Sequence, residues 1–120
     1  MSSHIYRSTL FKVPSPVDQQ RLIEAYRVLE RDHQKGDGKP YILSMKTGTT
    51  MRDQRSRGWT VVSQAEFASV EDMRYYDEEC KAHAELRETL NALGLTVGTR
   101  RIMVVSFSAD PVTFDRDRIL

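Results

Sequence analysis

The order of periodicities along this chain predicts an α+β sandwich, read as strand, helix, strand, strand, interrupted helix, strand. Two observations carry that prediction. Apolar and polar residues alternate over three short runs and stay apolar through a fourth, at Ile102 to Phe107. Between the first and second runs, and again between the third and fourth, apolar residues recur at spacings of three and four, the period of one helix face. A chain of 120 residues is predicted to form one domain over residues 1–120, with a core over 5–108 and a tail over 109–120.

The first run spans Ile5 to Val13, with Ile5, Arg7, Thr9, Phe11 and Val13 on one face and Tyr6, Ser8, Leu10 and Lys12 on the other. Both faces carry apolar groups, so the face away from the helices is predicted to meet a partner subunit. Pro14 stops the strand, and Ser15 with Pro16 supplies a cap and first helical residue. The helix is predicted to run to about Gln34 on a stripe of Leu22, Ile23, Tyr26 and Leu29. The turn KGDGKP releases it, and Tyr41 to Thr47 alternates as a second strand. The segment GTTMRDQRSRG is polar and reads as a solvated loop.

A third strand is predicted from Trp59 to Phe67, its odd positions facing inward. Ser69 followed by Asp72 has the spacing of a capping box, in which the hydroxyl accepts from an early amide and the carboxylate reaches back to the cap. A helix therefore begins at about Val70. Its apolar stripe starts as Val70, Met73, Tyr76 and Cys80 but continues as Ala82, Leu86, Leu90 and Leu93, rotated by about a quarter turn or more. Such a slip of phase predicts two helical pieces with a break between Asp77 and Lys81. Gly94 ends the second piece, and the apolar run IMVVSF predicts a strand buried on both faces. This order suits a ferredoxin-like sandwich, with helices on one face of an antiparallel sheet.

Composition excludes several function classes. The net charge of +1, from 18 basic and 17 acidic residues, offers no field for nucleic acid or anionic lipid. No apolar run approaches the roughly 18 residues that cross a bilayer, and the N-terminus lacks the pattern of a secretory signal. A lone cysteine, Cys80, forms no internal disulfide and suits a reducing, cytoplasmic setting.

Chemistry concentrates near the helix break, where Tyr76 and His83 supply a phenol and an imidazole above the inward residues of the third strand. These two are the candidate acid and base, acting on a small organic ligand in the hollow between sheet and helices. The imidazole is expected to titrate near neutrality, its unperturbed range. Strand parity turns Arg7 into the same space as a fork for a carboxylate or enolate, with Glu24 and Glu66 as competing partners. Tyr26, on the first helix stripe, has a hydroxyl that must find a partner or a ligand. Trp59, Val61 and Ser63 complete the candidate lining from the third strand. Cys80 and His83 lie at a metal-ligand spacing, but no second pair accompanies them, so no metal site is expected. GDGK lacks the full phosphate-loop spacing and follows a helix, and no glycine fingerprint is present, so no cofactor is expected.

The segments RSTLFKV and GWTVVSQAEFASVEDMRYYDEECKAHAEL resemble the stress-response A/B barrel family, also called Dabb or dimeric α/β barrel, and its olivetolic acid cyclase-like members. The resemblance implies a homodimeric α/β barrel of two ferredoxin-like sandwiches with a pocket in each subunit. It also implies a cofactor-free polyketide cyclase or lyase acting on a phenolic or polyketide-derived molecule, with Tyr76 and His83 in the places of the family's acid and base. Other readings on the same scaffold are a noncatalytic stress or ligand-binding dimer and a cofactor-independent monooxygenase. Where those cyclase-like members carry histidine in the first and third strands, this chain has Arg7 and Val61.

Overall fold

In the computed structural model, which describes residues 4–96 and 98–108, each predicted period becomes the corresponding element. The elements are β1 (Ile5–Phe11), α1 (Pro16–Asp32), β2 (Ile42–Thr49), β3 (Val61–Phe67), α2 (Val70–Glu78), α3 (Lys81–Ala92) and β4 (Ile102–Ser108), with a 3₁₀ turn at Gln54–Ser56. The strands form one antiparallel sheet in the order β2-β3-β1-β4. This is the α+β ferredoxin-like fold, with the three helices in one layer on one face of the sheet. Among the described residues no helix is long and apolar enough to cross a membrane.

The core lies between sheet and helices because each layer offers one apolar face. Phe11, Val61 and Phe67 from the sheet and Leu22 and Leu29 from α1 are almost wholly removed from water, with Tyr26, Tyr76 and Leu86 packed beside them. Arg7 sits opposite Ala65 of β3 and Ser106 of β4, on the helix side of the sheet.

Local chemistry sets the boundaries. Ser15 Oγ accepts from the Asp18 amide at 3.3 Å, with Pro16 opening the helix. Ser69 Oγ accepts from the Asp72 amide at 3.1 Å, but the Asp72 carboxylate does not return to the cap as a capping box requires; it pairs with Lys35. Gly94 takes φ +74 after α3, a left-handed backbone that glycine adopts without a Cβ penalty. β3 begins at Val61 rather than Trp59, because the Thr60 side chain is bound to the backbone at Val13. In β2 the register shifts between Ile42 and Ser44, a bulge at Leu43.

The expected burial of β4 is overturned as well. β4 is not buried on both faces: Met103, Val104, Val105 and Phe107 are each 44–52% exposed. Among the described residues it is an edge strand with β1 as its one neighbour, and no helix covers the sheet face that carries Tyr6, Leu10 and Phe107. The Tyr6 and Phe107 rings stack there at 5.4 Å.

His33 ties the end of α1 to the start of β2. Its Nδ1 accepts from the amides of Tyr41 and Ile42, each at 3.3 Å, so the ring is neutral in the fold. Burial lowers its pKa below the usual 6.5.

Truncating Leu22 to alanine removes a fully buried side chain, and the urea unfolding free energy is expected to fall by about 2–5 kcal/mol. The depressed His33 pKa means that the unfolded chain binds more protons at mildly acid pH. Its contribution is therefore complete above pH 6.5 and is lost as pH falls from there through the lower folded value; urea midpoints between pH 5 and 7.5 should slope less in His33→Gln.

Candidate functional site

The break between α2 and α3 builds the site. In an unbroken helix the Cys80 amide donates to the Tyr76 carbonyl, four residues back. Here both the Glu79 and Cys80 amides donate to the Tyr75 carbonyl, at 2.8 and 2.9 Å. The Tyr76 and Asp77 carbonyls are left open, and side chains of α3 fill them. His83 Nδ1 lies 2.7 Å from the Tyr76 oxygen, and Arg87 Nη1 donates to the Asp77 oxygen at 3.0 Å.

That bond fixes the tautomer of His83. A carbonyl oxygen only accepts, so Nδ1 carries a proton, and in the neutral ring Nε2 keeps a lone pair. The Tyr76 and His83 rings stack with centroids 3.7 Å apart at an interplanar angle of 17°. Burial outweighs the hydrogen bond and brings the His83 pKa down to about 4, with Arg87 and Arg7 adding to the fall. The expectation of titration near neutrality is thus corrected: the ring is half-buried and neutral at pH 7. Burial also raises the Tyr76 phenol, which keeps its proton.

Both rings line a hollow of about 330 Å³ against the β1 and β4 side of the sheet. Phe11, Leu90, Ile102 and Val104 make its apolar wall, and Arg7, Asp77 and Arg87 its charged rim. Arg7 holds neither Glu24 nor Glu66, which engage Arg27 and His4 instead. Its Nη1 and Nη2 grip the Asp77 carboxylate as a two-pronged fork, the second contact at 2.9 Å, while Nε donates to Ser106 Oγ at 3.1 Å. The guanidinium carbon also lies 5.9 Å from the centre of the Tyr76 ring.

The structure brings Tyr76, His83, Arg7 and Tyr26 to one hollow. Tyr26 is buried, and desolvation raises its phenol despite the neighbouring Ser63 hydroxyl and Arg7. Ser63 and Val61 do not line the hollow: Ser63 is buried against Thr47 Oγ1 at 2.8 Å, and Val61 is closed into the core. Trp59 lies elsewhere, beneath Lys12 Nζ at 4.7 Å and beside Pro16, Gln19 and Thr50. Asp77 and Arg87 were not anticipated. The signal for Arg87 was the predicted break, because a helix end leaves carbonyls that cations satisfy, whereas no local spacing pointed to the Asp77 carboxylate. Among the described residues no three of His, Cys, Asp or Glu converge as metal ligands.

Comparison with known proteins gives the lineage. A protein from Gibberella zeae described as a Fusaristatin A biosynthesis cluster protein is 43% identical over 93 residues, spanning 78% of this chain and 67% of that protein. Hydroxynitrile lyase from Passiflora edulis has the same fold, with a TM-score of 0.70 at 15% identity over 94% of this chain and 99% of the other. A dimeric ferredoxin-like protein of unknown function from Jannaschia sp. CCS1 matches with a TM-score of 0.69 at 17% identity, covering 87% of this chain and 97% of its own. The stress responsive A/B barrel domain model matches residues 5–107, and with a 43% identical relative beside it the chain belongs to that family.

Proposed function

We propose that this protein is a cofactor-free acid/base enzyme of the polyketide cyclase or lyase kind. Its substrate is a small phenolic or polyketide-derived molecule held between sheet and helices. The observation that carries the reading is the shared hollow: an imidazole with a free Nε2 lone pair and a protonated phenol line one partly apolar space. Both groups stand in the protonation state their roles require at neutral pH. The relative described as a biosynthesis cluster protein, and the hydroxynitrile lyase that shares the fold, support a role in small-molecule chemistry.

In a cyclisation, His83 Nε2 takes a proton from the carbon beside a carbonyl, and the resulting enolate carbon attacks a second carbonyl of the same molecule. One carbon–carbon bond forms. The Tyr76 hydroxyl gives its proton to the new alkoxide, and the protonated His83 restores the phenol through solvent. A lyase step runs the same transfers in reverse, with the carbon–carbon bond breaking. The low basicity of His83 suits an acidic carbon acid, such as one flanked by two carbonyls.

We further propose that two copies pair through the open sheet face. The apolar groups Tyr6, Leu10, Met103, Val105 and Phe107 lie on that face, and a partner sheet packed against it removes them from water.

Two measurements test these readings. With 1-phenylbutane-1,3-dione in deuterated buffer, the chain should speed exchange at the carbon between the carbonyls, and His83→Ala should lose about 10²–10⁴-fold of that acceleration. The wild-type rate should fall as pH drops through about 4, where His83 takes up its proton; an unchanged rate in His83→Ala removes the imidazole from the mechanism. By light scattering the wild type should run as a dimer and Phe107→Asp as a folded monomer; a monomeric wild type at micromolar concentration rules out the pairing.

A further inference from the structure

The geometry points to Arg7 as an anion-exchange site: the carboxylate of the substrate displaces Asp77 from the Arg7 fork, so the enzyme selects apolar molecules that carry one carboxylate. This inference rests on the hollow being the substrate site, and it adds the chemical class of what enters.

Four features support it. The Arg7 side chain is only 15% exposed, whereas that of its partner Asp77 is 39% exposed, so the acid can swing to water while the guanidinium cannot. The guanidinium has a second tether, since Ser106 Oγ holds Nε from β4. Its plane therefore stays aimed at the hollow when the carboxylate leaves. Asp77 is the penultimate residue of α2, beside the break, and its backbone is held separately by Arg87. Rotation of its side chain disturbs no helical hydrogen bond. Finally, the hollow carries two arginines and one aspartate beside a neutral imidazole, a surplus of one positive charge above apolar walls.

Discrimination follows from the cost of a stranded charge. A mostly buried guanidinium stripped of its partner is strongly unfavourable, so a neutral ligand has no means of displacing Asp77. A ligand carboxylate replaces the lost contacts with the same two-pronged geometry, and Asp77 regains its hydration. Asp77 thus acts as an internal competitor. It keeps the site charge-balanced when empty and lowers the affinity of every carboxylate that must displace it, while a neutral molecule gains nothing from the fork.

The test is equilibrium binding of 2-naphthoate and its neutral counterpart 2-naphthamide to the full chain. Wild type should prefer the carboxylate, and Asp77→Asn should tighten 2-naphthoate about tenfold while leaving 2-naphthamide unchanged. Arg7→Lys keeps the charge but not the fork, and should lose most of the preference. Equal affinities in the wild type, no 2-naphthoate binding, or weaker 2-naphthoate binding in Asp77→Asn would overturn the exchange. His83→Ala separates the two readings, because it should keep the carboxylate preference while losing deuterium exchange. Carboxylate preference without His83-dependent exchange on either 1-phenylbutane-1,3-dione or its ring 4-carboxylate defeats proton transfer alone; His83-dependent exchange without carboxylate preference defeats the anion site alone.

Discussion

The hydrogen bond from His83 to the Tyr76 carbonyl is the contact on which the arrangement of the site depends. It exists because the helix breaks: the Cys80 amide goes to Tyr75, and the carbonyl one residue later is left without its donor. An open carbonyl in a buried place has to be satisfied, and the imidazole of the next helix does this in surroundings whose burial outweighs the bond and keeps the ring neutral. One bond therefore joins α2 to α3, selects the tautomer and leaves Nε2 free. Had the apolar stripe kept its phase, Tyr76 and His83 would belong to a continuous helix and this carbonyl would be closed by backbone.

Much of this was legible in the residues. The break was visible as the change from the stripe of Met73, Tyr76 and Cys80 to that of Leu86 and Leu90, since apolar phase is a property of the chain itself. Strand parity brought Arg7 to the helix side for the same reason. What could not be read were the terms that depend on three-dimensional neighbours. The partner of Arg7 is Asp77, 70 positions away, and no local spacing distinguishes it from Glu24 or Glu66. The His83 pKa depends on how much water the packed helices exclude, which composition does not encode. Trp59 shares parity with Val61 yet falls outside the strand, because the Thr60 side chain takes over backbone partners at the strand's entry. For β4, an apolar run has the same appearance whether it is covered by its own chain or left at an edge.

The electrostatics of the hollow are consistent with those contacts. Its titratable rings are held neutral by burial, and its most buried cation is balanced by a partly exposed carboxylate. In the proposed acid/base reaction, proton movement between neutral partners would create and remove charge within a partly apolar enclosure, where the arginines at the rim would favour a developing enolate. The same arginines lower the basicity of His83. Under that proposal, stabilising the product anion and weakening the base are two effects of one pair of charges, which would restrict the site to the more acidic carbon acids.

The two edges of the sheet differ in how they receive another strand. On β2 the extra residue at Leu43 kinks the ladder, and Lys46 stands exposed on the same strand. An incoming backbone meets a broken register and a hydrated ammonium, which disfavours stacking of chains into an open-ended fibre from that side. The bulge thus makes that edge a poor template for an incoming strand, in contrast to the opposite edge, where valine and phenylalanine stand about half exposed among the described residues.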